Sequence, residues 1–269
     1  MAKLKGSLII TGKLDNLSIY KMWGVDDPVV RKAGGPTKEQ IKTWPSLQRT
    51  RENNMEMGGC STAAKWFKYA FWPQKALSDY TITGQVNALM RSILYLDTES
   101  VRGQRNVLLT KNPRLMEGFS LNRKTTFDSV VRCPLVGAID RDTLSARVEV
   151  PALLPGINFF GLQTQAVYSI IAVLGIAPDV FYDGGRYQPH PDYRANDCKI
   201  AESDWYPVLK GSPATTLDIQ LNSTPPDQSF SLVLSVGVRY GALRGNSIQD
   251  AGSVEQVKRR GGAKILMMR

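Results

Sequence analysis

SFSLVLSVGVRY, residues 229–240, places Phe230, Leu232, Leu234, Val236 and Val238 on one face of an extended strand. LDIQLN, residues 217–222, alternates in the same way, with Leu217, Ile219 and Leu221 on one face. Working outward, residues 125–132, 146–150, 165–174, 180–182 and 215–222 are β-rich and are separated by Pro, Gly, Asp and Asn. Short strands with such turns predict an antiparallel β-sandwich or partial barrel. Residues 183–213, rich in Pro, Gly, Tyr and Asp and without a clear period, read as a long loop of the kind that carries function or an interface.

Upstream the period changes. Cys60, Ala63, Ala64, Phe67, Ala70 and Phe71 recur at the i, i+3, i+4, i+7 spacing of a helix with one apolar face. Gly58-Gly59 interrupts it, as a kink or as a place where another backbone comes close, and Pro73 ends it. A second helix is expected over residues 85–96, with Val86, Leu89, Met90, Ile93 and Leu94 on its apolar side, and a short third over 111–118. Thr37 and Gln40 form a weak capping-box pattern, and Pro45 suits a helical first turn.

The N-terminal residues read as short strands over 7–11, 17–23 and 28–32, broken by Gly12, Asp15-Asn16, Gly24 and Asp26-Asp27-Pro28. Three short strands bury little alone, so this piece is expected to cover itself with something else, such as another subunit. The predicted fold class is α+β: an N-terminal strand arm, a small helical region and a C-terminal antiparallel β-sandwich. The boundaries are 1–36 for the β-hairpin arm, 37–123 for the helical region, 124–248 for the β-sandwich domain and 249–269 for a basic, apolar tail. That tail, ending AKILMMR, reads either as an inserted strand or as a peptide that docks on a neighbour.

Composition excludes several classes. Hydrophobic residues at 42% and charged residues at 22% are globular values, not those of a disordered chain. Cys60, Cys133 and Cys198 are odd in number, far apart and without a C-x-x-C pair, so they predict free thiols and not a disulfide or zinc framework. The first apolar run is only Leu8 to Ile10, too short for a signal peptide, and no run is long enough to span a bilayer. A cytoplasmic protein without a membrane span is expected.

No reaction is legible. The one histidine, His190, lies between two prolines, and no nucleophile motif accompanies it. Asp183, Asp192, Asp197, Glu202 and Asp204 share the long loop without the spacing of a calcium loop, and read as a solvated acidic surface or one facing a basic partner. Gly34-Gly35, Gly58-Gly59 and Gly184-Gly185 lack the order of a phosphate-binding loop. The expectation is no enzyme, no metal and no cofactor.

Charge is the more informative signal. Residues 1–135 hold 21 Lys/Arg against 11 Asp/Glu, residues 136–257 hold 8 against 13, and the last twelve hold five basic residues and no acid. Such blocks let copies attract one another head to tail, or let the basic part attract a polyanion. Lys65, Lys68 and Lys75 are interleaved with Trp66, Phe67, Tyr69, Phe71 and Trp72, the composition of single-strand nucleic-acid binders. Phe67 and Phe71 also fit the helix's core face, and Glu52 and Glu56 lie within a turn of Arg49 and Arg51 for pairing. The candidate subunit-interface or polyanion contacts are Arg49, Arg51, Lys65, Lys68, Lys258, Arg259, Arg260, Lys264 and Arg269.

Three runs carry a resemblance. Gly12-x-Leu14-x-Asn16-Leu17-x-Ile19-Tyr20-Lys21 with Val30-Arg31-x-x-Gly34-Gly35, then Arg49-Thr50-Arg51-Glu52-Asn53, then Arg102-Gly103-x-Arg105-Asn106-Val107 with Glu117-Gly118-Phe119-x-Leu121-Asn122 resemble a family of uncharacterised proteins from Bacteroidota, over about residues 6–135. The resemblance implies a bacterial setting and carries over no chemistry or site residue. Physically, the R-T-R-E-N run at a helix start suits a charged contact between elements or subunits.

The expected function is a non-enzymatic structural subunit that self-assembles into a filament, tube or shell through strand-arm, tail and charge-complementary contacts. A polyanion-binding protein using the basic half is the alternative, and a phage-tail-like or injection-apparatus subunit a further one. The expected partners are further copies of the chain, or nucleic acid.

Overall fold

The computed structural model describes residues 2–3, 10–32, 34–243 and 254–269, without the side chains of 2–3, 243 and 254–260. The chain is α+β, 24% helical and 34% strand. It divides into two compact units, Met1–Arg51 and Glu52–Arg269.

The first unit is a small antiparallel sheet followed by a short helix. Strands β1 (Ala2–Lys3), β2 (Gly12–Leu14), β3 (Leu17–Tyr20) and β4 (Val29–Lys32) take the order β1-β4-β3-β2. Asp15, at φ 47°, turns β2 into β3. The proposed strand over 7–11 falls mostly on residues outside the described ones. Helix α1 (Lys38–Thr43) starts in the capping box expected of Thr37 and Gln40, whose side chains each accept from the other's backbone N–H, at 2.7 and 3.2 Å. Arg51 donates from Nη1 to the Ile41 and Trp44 carbonyls, both at 2.8 Å, and so satisfies orphan acceptors at the helix end.

The second unit is layered. Helix α2 (Gln48–Ala70), a 3-10 turn (Trp72–Leu77) and helix α3 (Thr83–Leu94) form one layer. Helix α2 runs through Gly58-Gly59 without a break, and what comes close at Gly59 is a side chain and not a backbone: a Cβ there would lie 2.7 Å from the Tyr187 ring. After a 3-10 turn at Pro113–Met116 comes α4 (Phe127–Val130), a helical turn where residues 125–132 had read as strand. Thr126 caps it by accepting the Ser129 N–H, and Phe127 and Val130, three apart, are both buried, so local capping and the core agree on a helical spacing.

Strands β5 (Val136–Asp140) and β6 (Ser145–Val150) begin a three-stranded sheet, which β12 (Thr215–Gln220) completes in the order β12-β6-β5. Strand β7 (Val167–Pro178) enters the central sheet, and the long loop then proves structured, with the hairpin β8 (Phe181–Asp183) and β9 (Arg186–Gln188) followed by β10 (Cys198–Glu202) and β11 (Tyr206–Pro207). With β13 (Phe230–Leu243) and β14 (Val254–Met268), the central sheet has the order β10-β7-β13-β14, and β11 also pairs with β7. The C-terminal residues are therefore a strand of their own chain's sheet. Ala263, Ile265 and Met268 are buried there, which supports the inserted-strand reading and corrects the reading of this segment as a peptide docked on a neighbour.

The central sheet is covered on both faces, and all twelve residues of β7 are buried. Phe230, Leu232, Leu234, Val236 and Val238 join Ile170, Ala172 and Leu174 of β7 against Ile139, Val148, Leu217 and Ile219 of the smaller sheet, forming the core of a β-sandwich. On the opposite face, Ile171, Val233 and Ile265 meet Phe67, Phe71, Val86, Met90 and Leu94 of the helical layer. Small residues make this approach possible. A Cβ on Gly175 would stand 2.1 Å from the Ala70 carbonyl oxygen, so the end of α2 rests on bare β7 backbone. The far edge of β14 is covered by residues 118–121, through bonds of 2.8–2.9 Å involving Gly118, Phe119 and Leu121.

Candidate interaction surfaces

The N-terminal sheet is too thin to hide its own apolar side chains. Among its described residues only Ile19, Pro28 and Val29 are buried. Leu14 is 66% exposed and Trp23, in the β3–β4 connection, is 100% exposed, with Ile10, Leu17 and Met22 also open to solvent. Leu14 and Leu17 are cross-strand partners on the same face as buried Ile19, so it is the β2–β3 hairpin end that is bare, while Ile10, Met22 and Trp23 lie in the connections. This unit is basic, with ten Lys/Arg against four Asp/Glu in residues 1–51.

The outer face of the three-stranded sheet has the opposite character. Its inward residues fill the sandwich core, so the alternate positions point out. Asp140, Glu149 and Asp218 are exposed there, with Arg147 between them, and Asp142 is exposed in the β5–β6 turn. Arg147 donates to Asp218 at 2.7 Å, and the sheet holds an open depression of about 550 Å³ around them. These acids were hidden in the sequence because they occupy the polar half of core-forming strands. The signal that could have found them is the sign of the charge at the outward positions.

A third surface lies along α2. Phe67 and Phe71 are fully buried, while Trp66, Tyr69 and Trp72, spaced by three, form a row of edge-on rings with centroids 5.7 and 5.9 Å apart. Trp72 is 43% exposed. Lys65 lies over the Tyr69 ring at 5.7 Å and Lys75 over the Trp72 ring at 4.2 Å. Lys68 donates to the Thr83 hydroxyl at 3.2 Å and opens, with Lys75, into a groove of about 640 Å³ walled by residues 78–83. Burial, with the neighbouring Lys75 charge adding to it, pulls the Lys68 ammonium below the usual lysine range.

The predicted contact residues divide between these surfaces and structural tasks. Lys68 lines the groove with Lys75, and Lys65 lies at the far end of the aromatic row, over Tyr69. Arg51 caps α1, and Arg49 is exposed on α2. Lys264 pairs with Asp128 and lies over the Phe127 ring, holding β14 to α4. Arg269 donates to the Ile139 carbonyl at 3.0 Å and tethers the chain end to β5. The side chains of Lys258, Arg259 and Arg260 lie outside the described ones.

The R-T-R-E-N run makes the contact between elements that its charges suggested, but with other partners than the nearest arginines. Glu56, buried at 4% exposure, accepts from Arg105 through both carboxylate oxygens, at 2.7 and 3.0 Å, and from the Gly103 N–H at 2.8 Å. Asn53 accepts from Arg102 at 3.0 Å, and Glu52 lies 3.6 Å from the same guanidinium. Asn122, also buried, donates to the Leu77 and Gly261 carbonyls and accepts the Ala263 N–H, so it bridges the helical layer and β14. Of the three runs that carried the family resemblance, the second and third thus supply framework contacts, through Glu52, Asn53, Arg102, Gly103, Arg105 and Asn122.

The remaining reactive groups stay apart. Burial pushes the Cys60 and Cys198 thiols up to about 11, and all three cysteines are unpaired. His190 is exposed beside Asp192, 3.8 Å away, while Asp183 accepts from Gln188. Among the described residues, no group of three or more His, Cys, Asp or Glu is placed to hold a metal ion, and no helix is long and apolar enough to cross a membrane. The chain matches no known protein family, no curated protein and no solved structure.

Proposed function

We propose that the protein is a non-enzymatic structural subunit that self-assembles into a filament, tube or shell, with the N-terminal sheet as its docking arm. The observation that carries this reading is the sheet itself, which exposes Leu14 and the whole of Trp23 while burying almost nothing of its own. A sheet of four short strands needs a partner surface to be stable.

The partner is a second copy. The arm is basic, and the exposed outer face of the three-stranded sheet carries Asp140, Glu149 and Asp218 against Arg147, with Asp140, Asp218 and Arg147 lining its open depression. Two different patches that attract each other make a heterologous contact, which closes into a ring or continues as a filament according to its rotation.

Light scattering coupled to gel filtration, with negative-stain electron microscopy, tests this on nuclease-treated protein at low and at high salt. Ordered particles far heavier than the 29.8 kDa chain are expected, and Trp23→Asp should shift them toward monomer. A monomeric wild type at both salts and at high concentration would sink the reading.

A further inference from the structure

We infer that the groove beside α2, together with the aromatic row that leads from its Lys75 through Trp72 and Tyr69 to Lys65, is a binding site for single-stranded nucleic acid, with phosphates on Lys65, Lys68 and Lys75 and bases against the rings. This site is separate from the docking arm, and the inference stands whether or not the protein assembles.

The cations come first. Among the described residues, none of these three lysines has a carboxylate partner. The acid that lines the groove, Asp79, is already engaged, accepting the backbone N–H groups of Arg123 and Lys124 at 2.8–3.1 Å. Arg123 lies over the ring of Tyr80, which lines the groove, at 4.3 Å. Lys68 and Lys75 converge closely enough for one charge to disfavour the other, and an anion between them removes that repulsion.

The aromatic row decides which anion. Lys75 over Trp72 and Lys65 over Tyr69 place each ammonium beside a ring, so one ligand able to use both must carry alternating charge and flat apolar surface. A single strand has that pattern, and free phosphate, polyphosphate and acidic peptides do not. The groove, at about 640 Å³, has the capacity of an ordinary ligand site. It is an open cleft with no arrangement that reads base edges, so binding is expected to be independent of sequence.

The test uses the full chain, freed of nucleic acid, and a dye-labelled thymidine oligonucleotide followed by fluorescence anisotropy, with polyphosphate as the competitor. Binding is expected at about 50 mM salt, and its logarithm should fall against log salt with a slope of about −2 for three neutralised phosphates. Lys75→Gln, at an exposed position, should reduce the magnitude of that slope by about 0.7 without changing the unfolding midpoint. Trp72→Ala should weaken oligonucleotide binding about 5- to 100-fold and leave polyphosphate binding unchanged. The inference is overturned by absence of binding at low salt, by an unchanged slope in Lys75→Gln, or by Trp72→Ala affecting both polymers equally. The last result would identify a purely electrostatic surface.

Discussion

At the scale of single residues, the most consequential group is Glu56. It is a buried carboxylate held by the Arg105 fork and the Gly103 N–H. Removing one charge of such a pair leaves the other uncompensated in a poorly solvated place. Glu56→Gln is therefore expected to cost about 3 kcal/mol, read as a lower urea midpoint with an unchanged slope. Asp97 sits nearby with another kind of stabilisation. Burial works against its charge, but the N–H groups of Asn106, Ser100 and Glu99, at 2.8–3.0 Å, hold its carboxyl down at about 2. Because the folded value is depressed, the stability it contributes is present above the ordinary carboxylate range and is lost as pH falls toward about 2. Asp97→Asn should be less stable than wild type by about 1–2 kcal/mol near neutral pH, and urea titrations should show that gap closing between about pH 4 and pH 2. Glu56 lay in view in the sequence, but as a partner for Arg49 or Arg51. Its real partner is 49 positions away and was not legible from spacing.

At the scale of elements, glycine decides how closely the layers meet. Gly175 interrupts an otherwise bulky strand because the last turn of α2 lies directly on it. Gly175→Ala is expected to destabilise the protein by about 1–3 kcal/mol through overpacking, checked by chemical denaturation. An unchanged midpoint would mean that the helix end can lift at little cost. The strands with clean alternation, β12 and β13, were legible because each presents a continuous apolar face to one core. The turn α4 was not, since Thr125–Thr126 and Val130–Val131 favour extended backbone until the Thr126 cap and the buried Phe127–Val130 spacing override them. Strand β10, with exposed Ile200 and charged neighbours, resembles loop sequence because it lies at a sheet edge.

At the scale of the whole molecule, the two chain ends play different parts. The C-terminal strand is part of the central sheet, bonded along β13 on one side and along residues 118–121 on the other. Deleting residues 258–269 should therefore unfold the second unit, and not merely reduce assembly. Loss of near-ultraviolet circular dichroism and of amide protection in β13 would check this. A truncated chain that keeps both would show β14 to be dispensable. The N-terminal sheet, by contrast, buries Ile19 and Val29 but leaves Leu14, Leu17 and Trp23 exposed, and the assembly reading rests on it.

What the sequence determined by itself is the α+β class, the alternation of β12 and β13, the buried face of α2 and the block pattern of charge. All of these follow from periods of two and 3.6 and from counting, which are local properties. Tertiary structure alone decided that the basic C-terminal tail is an interior strand, that Glu56 answers Arg105, that the acids of the smaller sheet share one outer face, and that Lys68 and Lys75 open on one groove. Each of these depends on which distant segments come to lie side by side. That is settled by covering both faces of one sheet at once, and no window of neighbouring residues contains the information.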